Sequence, residues 1–132
     1  MKNLSTLLLL LLMVMPTAWG QRISERTGST VGYIEKGRVS DRTGSTLGYI
    51  ENGRISDRTG STLGYIDDNG RISDRTGSTL GYIENGRVSD RTGSTLGYIE
   101  NGRVSDRTGS TLGYYDEVDD IQAAVFFFFF FL

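Results

Sequence analysis

The sequence predicts an all-β chain folded as a closed, pseudo-symmetric ring or short barrel of tandem β-hairpins, built from about six 16-residue repeats. Three observations carry this expectation. The unit Arg22-Ile-Ser-Glu-Arg-Thr-Gly-Ser-Thr-Val-Gly-Tyr-Ile-Glu-Lys-Gly37 recurs from Arg38, Arg54, Arg71, Arg87 and Arg103, with one extra residue in Asp67-Asp68-Asn69-Gly70. Seventeen of the eighteen glycines fall at fixed places in these copies, too close together for an apolar period of 3.6 to develop. Between the glycines lie short runs rich in Thr, Val, Leu, Tyr and Ile, residues that favour strands.

In chain order, Met1 to Gly20 carries Lys2 as its sole charge, then the apolar run Leu7 to Met15, then Pro16 and Ala18-Trp19-Gly20. This pattern is that of a cleavable secretory leader over 1–20. Nine apolar residues are too few to anchor the chain as a spanning helix, which needs about 20.

The repeat domain is expected over 21–115. Each copy has two turns. Asn52-Gly53 is a strong two-residue hairpin signal, since a type I′ turn needs positive φ at both central positions. Asn69-Gly70, Asn85-Gly86 and Asn101-Gly102 repeat it, and Lys36-Gly37 is a weaker version. The second turn is Asp41-Arg42-Thr43-Gly44, with Asp and Gly where a type I turn favours them. Across Asn52-Gly53, Glu51 faces Arg54 and Ile50 faces Ile55. At the second turn an even loop sets Val39 opposite Gly48 and Ser40 opposite Leu47. An odd loop inverts the faces from copy to copy, so near-identical copies require an even loop or a compensating bulge at Gly48. The Val/Ile stripe then forms one apolar face, with Leu47 and Tyr49 on the other. Closing the array removes the sticky edges that so short a set of strands would otherwise expose.

The acidic segment 116–122 is expected as a linker. Behind it, 123–132 is an apolar tail, Ala123-Ala124-Val125 followed by six phenylalanines and Leu132. As a helix, ten residues span about 15 Å, half a bilayer core. Exposed, the segment would aggregate. Burial against the chain's own domain is the plainer expectation, with docking of Phe126 to Phe131 on a membrane periphery or a partner as the alternative.

The pattern Asp-x-x-Gly-x-x-(Leu/Val)-Gly-Tyr-Ile-Glu-x-Gly-Arg-(Ile/Val), after a leader and before a Phe-rich C-terminus, resembles the small bacterial envelope proteins called five-fold beta-flower proteins. The resemblance covers Gln21 to Leu132. It implies a pseudo-symmetric ring of β-hairpins and brings no known activity. Six Arg-Thr-Gly turns but five complete inter-copy hairpins leave five-fold and six-fold closure both open. A weaker similarity is to the tyrosine-aspartate repeats of large secreted bacterial shells, which are longer per unit.

Composition restricts the chemistry. Without Cys there is no disulfide, thiolate nucleophile or thiolate metal site, and without His no imidazole base. Fourteen basic against sixteen acidic residues provide no net field to recruit nucleic acid. Six nearly equivalent surfaces are a poor basis for one asymmetric catalytic constellation, so neither enzyme, cofactor nor metal site is expected. Asp67-Asp68-Asn69-Gly70 lacks the spaced carboxylates of a calcium loop and is expected as a turn insertion.

Two repeated sets could bind a ligand. Tyr33, Tyr49, Tyr65, Tyr82, Tyr98 and Tyr114 could stack on sugars, or pack against the sheet. Arg38, Arg54, Arg71, Arg87 and Arg103 could ring an anionic polysaccharide, or pair with neighbouring carboxylates such as Glu51. The expected role is a non-catalytic secreted or periplasmic module, structural or interacting, of the bacterial envelope. The alternatives are a multivalent carbohydrate-binding protein using these Tyr and Arg sets, and a protein docked to membrane through its tail.

Overall fold

A computed structural model describes residues 21–132; the leader expected over 1–20 lies outside the described residues. Twelve strands follow in chain order, two per copy. They are β1 (Arg22–Glu25), β2 (Thr30–Glu35), β3 (Arg38–Asp41), β4 (Thr46–Glu51), β5 (Arg54–Asp57) and β6 (Thr62–Ile66). The second half comprises β7 (Arg71–Asp74), β8 (Thr79–Glu84), β9 (Arg87–Asp90), β10 (Thr95–Glu100), β11 (Arg103–Asp106) and β12 (Thr111–Asp116). Every strand pairs antiparallel with its sequence neighbours, and β1 pairs with β12 to close the barrel. The closing register, Arg22 with Asp116 and Ile23 with Tyr115, occupies the place of a sixth inter-copy hairpin. Closure is therefore six-fold.

The hairpins at Asn52-Gly53, Asn85-Gly86 and Asn101-Gly102 form as expected, whereas Asn69-Gly70 does not make the two-residue turn expected of it. Ile50 faces Ile55 and Glu51 faces Arg54. Asn52 and Gly53 hold φ of 53° and 77°, the left-handed pair a type I′ turn demands. The insertion resolves into a different turn. Asp67 N–H donates to the Arg71 carbonyl at 3.0 Å, and the Asp67 carboxylate accepts from the Asn69 and Arg71 N–H groups at 2.9 and 3.0 Å. Asp68-Asn69-Gly70 is thus a three-residue loop of the same build as the Asp-Arg-Thr-Gly turn.

That second turn has an odd loop. Asp41 N–H donates to Ser45 across Arg42-Thr43-Gly44, and Gly44 N–H returns to the Asp41 carbonyl. A bulge then restores the register, since Val39 faces Gly48 but Ser40 faces Thr46, leaving Leu47 as the extra residue. Five other hairpins repeat the shift. One expectation fails here. Leu47 does not lie beside Tyr49 on the outer face but packs against the core, because the bulge sets two successive residues, Leu47 and Gly48, on the inner side.

Inside the barrel, Ile23, Val39, Ile55, Ile72, Val88 and Val104 are fully buried. The lumen is filled by the chain's own C-terminus. After β12 the chain turns through Glu117 and Val118 into α1 (Asp120–Ala124), whose N-cap, Asp119, accepts from Ile121 and Gln122 N–H groups. Ala123, Ala124 and Val125 are completely buried. Small residues let a helix pass between the isoleucine-lined walls. From Val125 the helix widens into a π-helical turn (Val125–Phe129), closed by Phe130 N–H on the Val125 carbonyl at 2.8 Å.

The widened turn serves the phenylalanines. A Cβ placed on Gly32 would meet Phe126, and one on Gly113, Gly97, Gly81, Gly64 or Gly48 would meet Phe127, Phe128, Phe129, Phe130 or Phe131 respectively. Each ring lies against the missing side chain of one copy, stepping once around the barrel. An α-helix advances roughly 100° per residue, whereas six copies require a sixth of a circle. The i→i+5 turn and the extended Phe130 bring the step toward that value.

Candidate functional site

The repeated outer wall is the surface on which the sequence placed its candidate binding residues. Strand alternation turns Arg and Tyr outward while Val and Ile turn in. The register makes them partners: Arg38 faces Tyr49, Arg54 faces Tyr65, Arg71 faces Tyr82, Arg87 faces Tyr98 and Arg103 faces Tyr114. Arg22 with Tyr33 completes six such pairs. The sequence assigned Tyr33 and the five later tyrosines to one set and omitted Arg22 from the other. Its position at the start of the first copy was the signal that it belongs.

On the far side each tyrosine faces a buried serine, as Tyr49 faces Ser56 and Tyr33 faces Ser40. Tyr65, Tyr98 and Tyr114 are about two-fifths exposed, and Tyr33, Tyr49 and Tyr82 rather less. The tyrosines are therefore outer-wall residues with one accessible side, not core.

The arginines are engaged locally. Arg38 Nε donates to Thr46 Oγ1 at 2.8 Å and its Nη2 to the Gly44 carbonyl at 2.7 Å. Arg54, Arg71, Arg87 and Arg103 repeat this clamp on Thr62, Thr79, Thr95 and Thr111 and on Gly60, Gly77, Gly93 and Gly109. Each guanidinium leans from the Asn-Gly end of its strand along the wall and fastens the next turn. Arg54 faces Glu51 across the hairpin, but its hydrogen bonds go to Thr62 and Gly60. Sequence spacing could not distinguish the two, since both partners lie within a side chain's reach.

At the turn itself Asp41 Oδ1 accepts from Thr43 N–H, the Thr43 hydroxyl and Ser45 N–H at 2.9, 2.6 and 3.0 Å. The Thr43 hydroxyl holds the Asp41 carboxyl below the usual carboxylate range, against a desolvation effect and with help from the Ser45 and Thr43 N–H groups. Asp57, Asp74, Asp90 and Asp106 are lowered in the same way. Oδ1 of each carboxylate accepts inside its own turn, and Arg42, Arg58, Arg75, Arg91 and Arg107 are exposed on the same turns.

In the last copy Tyr115 takes the place of isoleucine, and its hydroxyl donates to Asp120 Oδ1 at 2.7 Å. Burial, then that bond, pushes its phenol up to about 12. Tyr115 thereby ties the barrel wall to the first turn of α1. Among the described residues no group of three or more carboxylates is arranged to hold a metal ion.

The family model described as 5-fold beta-flower protein matches residues 20–131. The chain belongs to the 5-fold beta-flower protein family. This beta-flower carries six units rather than five, each with its own phenylalanine. Comparison with curated proteins and with solved structures gives no match.

Proposed function

We propose that this beta-flower is a non-catalytic structural or interaction module of the bacterial envelope, exported by the leader over 1–20 and working in the secreted or periplasmic space. The observation that carries the reading is the one-to-one seating of Phe126–Phe131 on the six strand glycines, which fills the lumen with the chain itself. A lumen spent on a plug leaves the outer wall and the two ends as the working surfaces. Those surfaces are six-fold repeated, which suits attachment at several equivalent points better than turnover at one. Cell fractionation of the tagged full chain tests it. Recovery of a product lacking 1–20 with the envelope or medium supports the reading, and a full-length cytoplasmic product overturns it.

A second reading, multivalent binding of an envelope polysaccharide, is favoured by the accessible faces of Tyr65, Tyr98 and Tyr114. The arginine clamp argues that Tyr rather than Arg would make the first contact. Loss of polysaccharide pull-down in a Tyr65→Ala/Tyr98→Ala/Tyr114→Ala variant, with its circular dichroism unchanged, would support it.

A further inference from the structure

The two ends of the barrel differ in charge and in polarity. Even-numbered strands run from the Asp-Arg-Thr-Gly turns to the Asn-Gly turns, so Leu47 and Gly48 lie nearer the first end than Ile50 does. The phenylalanine tier, seated on the glycines, therefore faces the Arg-Thr-Gly mouth. Phe127 to Phe131 are half-buried there, beside a collar formed by Val31, Leu47, Leu63, Leu80 and Leu96, with Leu112 38 % exposed.

This apolar mouth is ringed by charge. The exposed turn arginines, Arg42 and its equivalents, stand around it, and the clamped set reaches toward the same turns. Together they are twelve arginines against six carboxylates, Glu25 and five turn aspartates. The opposite end holds α1, the Asn-Gly turns and the remaining ten carboxylates, against Lys36 alone. The barrel is thus an axial dipole whose positive pole is also its apolar pole.

We infer that the Arg-Thr-Gly mouth docks on a lipid bilayer bearing anionic headgroups, with the barrel axis along the membrane normal. Only an occupant both apolar and negatively charged satisfies the collar and the arginines at once. A second copy presenting its acidic end answers the charge but brings one exposed apolar side chain of α1, Ile121, to the collar. The inference deepens the envelope reading by naming a partner for one end. It also differs from insertion of the tail, because the phenylalanines stay seated in the barrel.

The test uses the chain from Gln21 to Leu132, which holds every described strand and the plug. Trp19, the chain's one tryptophan, lies before it, so an introduced tryptophan is the sole reporter. Leu112→Trp marks the mouth and Glu84→Trp the opposite end. With phosphatidylglycerol-containing vesicles, the mouth reporter is expected to shift to the blue while the other does not. Binding should fall at least ten-fold with pure phosphatidylcholine vesicles, at high salt, and in an Arg42→Gln/Arg58→Gln/Arg75→Gln/Arg91→Gln variant. Equal binding to neutral vesicles, a shift at the Glu84→Trp reporter instead, or no binding at all overturns the inference. So does a lipid-free oligomer that accounts for the mouth shift. If the arginine variant fails to fold, salt dependence and the paired reporters still decide. Failure here leaves the fractionation result standing, so the two readings fail separately.

Discussion

A Cβ on Gly48 would lie 2.6 Å from Cε1 of Phe131 and closer still to the Ser56 carbonyl oxygen. The glycine is therefore required twice, by the plug and by the neighbouring strand. Gly48→Ala is expected to cost about 1–3 kcal/mol through overpacking, measured by urea denaturation. Adding Phe131→Ala should not restore wild-type stability, because the clash with the carbonyl persists.

Phe126 is the one phenylalanine buried almost completely, at 1 % exposure, and it packs edge-on to Phe127. Phe126→Ala should lower unfolding free energy by about 3–5 kcal/mol. Phe129→Ala, at a half-buried position, should cost clearly less. Thermal unfolding of the two variants side by side checks the order.

Lys36 holds φ of 51° where Asn52, Asn85 and Asn101 sit at nearly the same angle. A lysine pays the left-handed penalty that asparagine partly avoids, about 1–2 kcal/mol at most. In urea denaturation, Lys36→Asn should therefore raise the unfolding free energy, and Asn52→Ala should lower it by about 1 kcal/mol. Only the first substitution corrects a departure from the repeat.

How far the fold was legible depends on which residue carried the information. Asn52-Gly53, set directly between Glu51 and Arg54, favours a two-residue turn, so the pairing of Ile50 with Ile55 followed from it. Arg42-Thr43-Gly44 admits loops of either parity, and symmetry between copies reduced the choice to an even loop or a bulge without saying which. Leu47 was misplaced for that reason. The arginines were read as a surface set, but a clamp on Thr46 and the Gly44 carbonyl depends on how far a flexible side chain bends, which spacing does not encode. Six phenylalanines beside six copies were a signal available to counting alone.

The lowered turn carboxyls predict an acid limb. Asp57 in the folded chain binds its proton less readily than in the unfolded chain, where the ordinary value is 3.8. Its contribution is present above that pH and is lost as pH falls through the folded value. Thr59→Ala removes the first cause of the shift. The Asp57 carboxyl should then titrate higher by NMR, and the acid-unfolding curve should lose part of its slope.

Tyr115 predicts an alkaline limb of opposite sense. The folded phenol, at about 12, holds its proton where the unfolded one, near 10.0, has lost it. Its contribution is complete below pH 10 and declines as pH rises toward 12. Tyr115→Phe removes this limb and should cost about 1 kcal/mol or somewhat more at neutral pH, since the lost bond is to a carboxylate. Tyrosinate absorbance and denaturation at high pH measure the two effects.

The seating of one ring per copy also bears on how such a chain can change over time. Tandem repeats gain and lose units readily when their coding copies misalign during recombination. Here the lumen fixes a second count at a separate place in the chain, because a seventh unit would face a gap and an array of five would leave one ring with no seat. A change in the number of hairpins then calls for a matching change in the run of phenylalanines, so the number of repeats and the number of rings are inherited as a coupled pair.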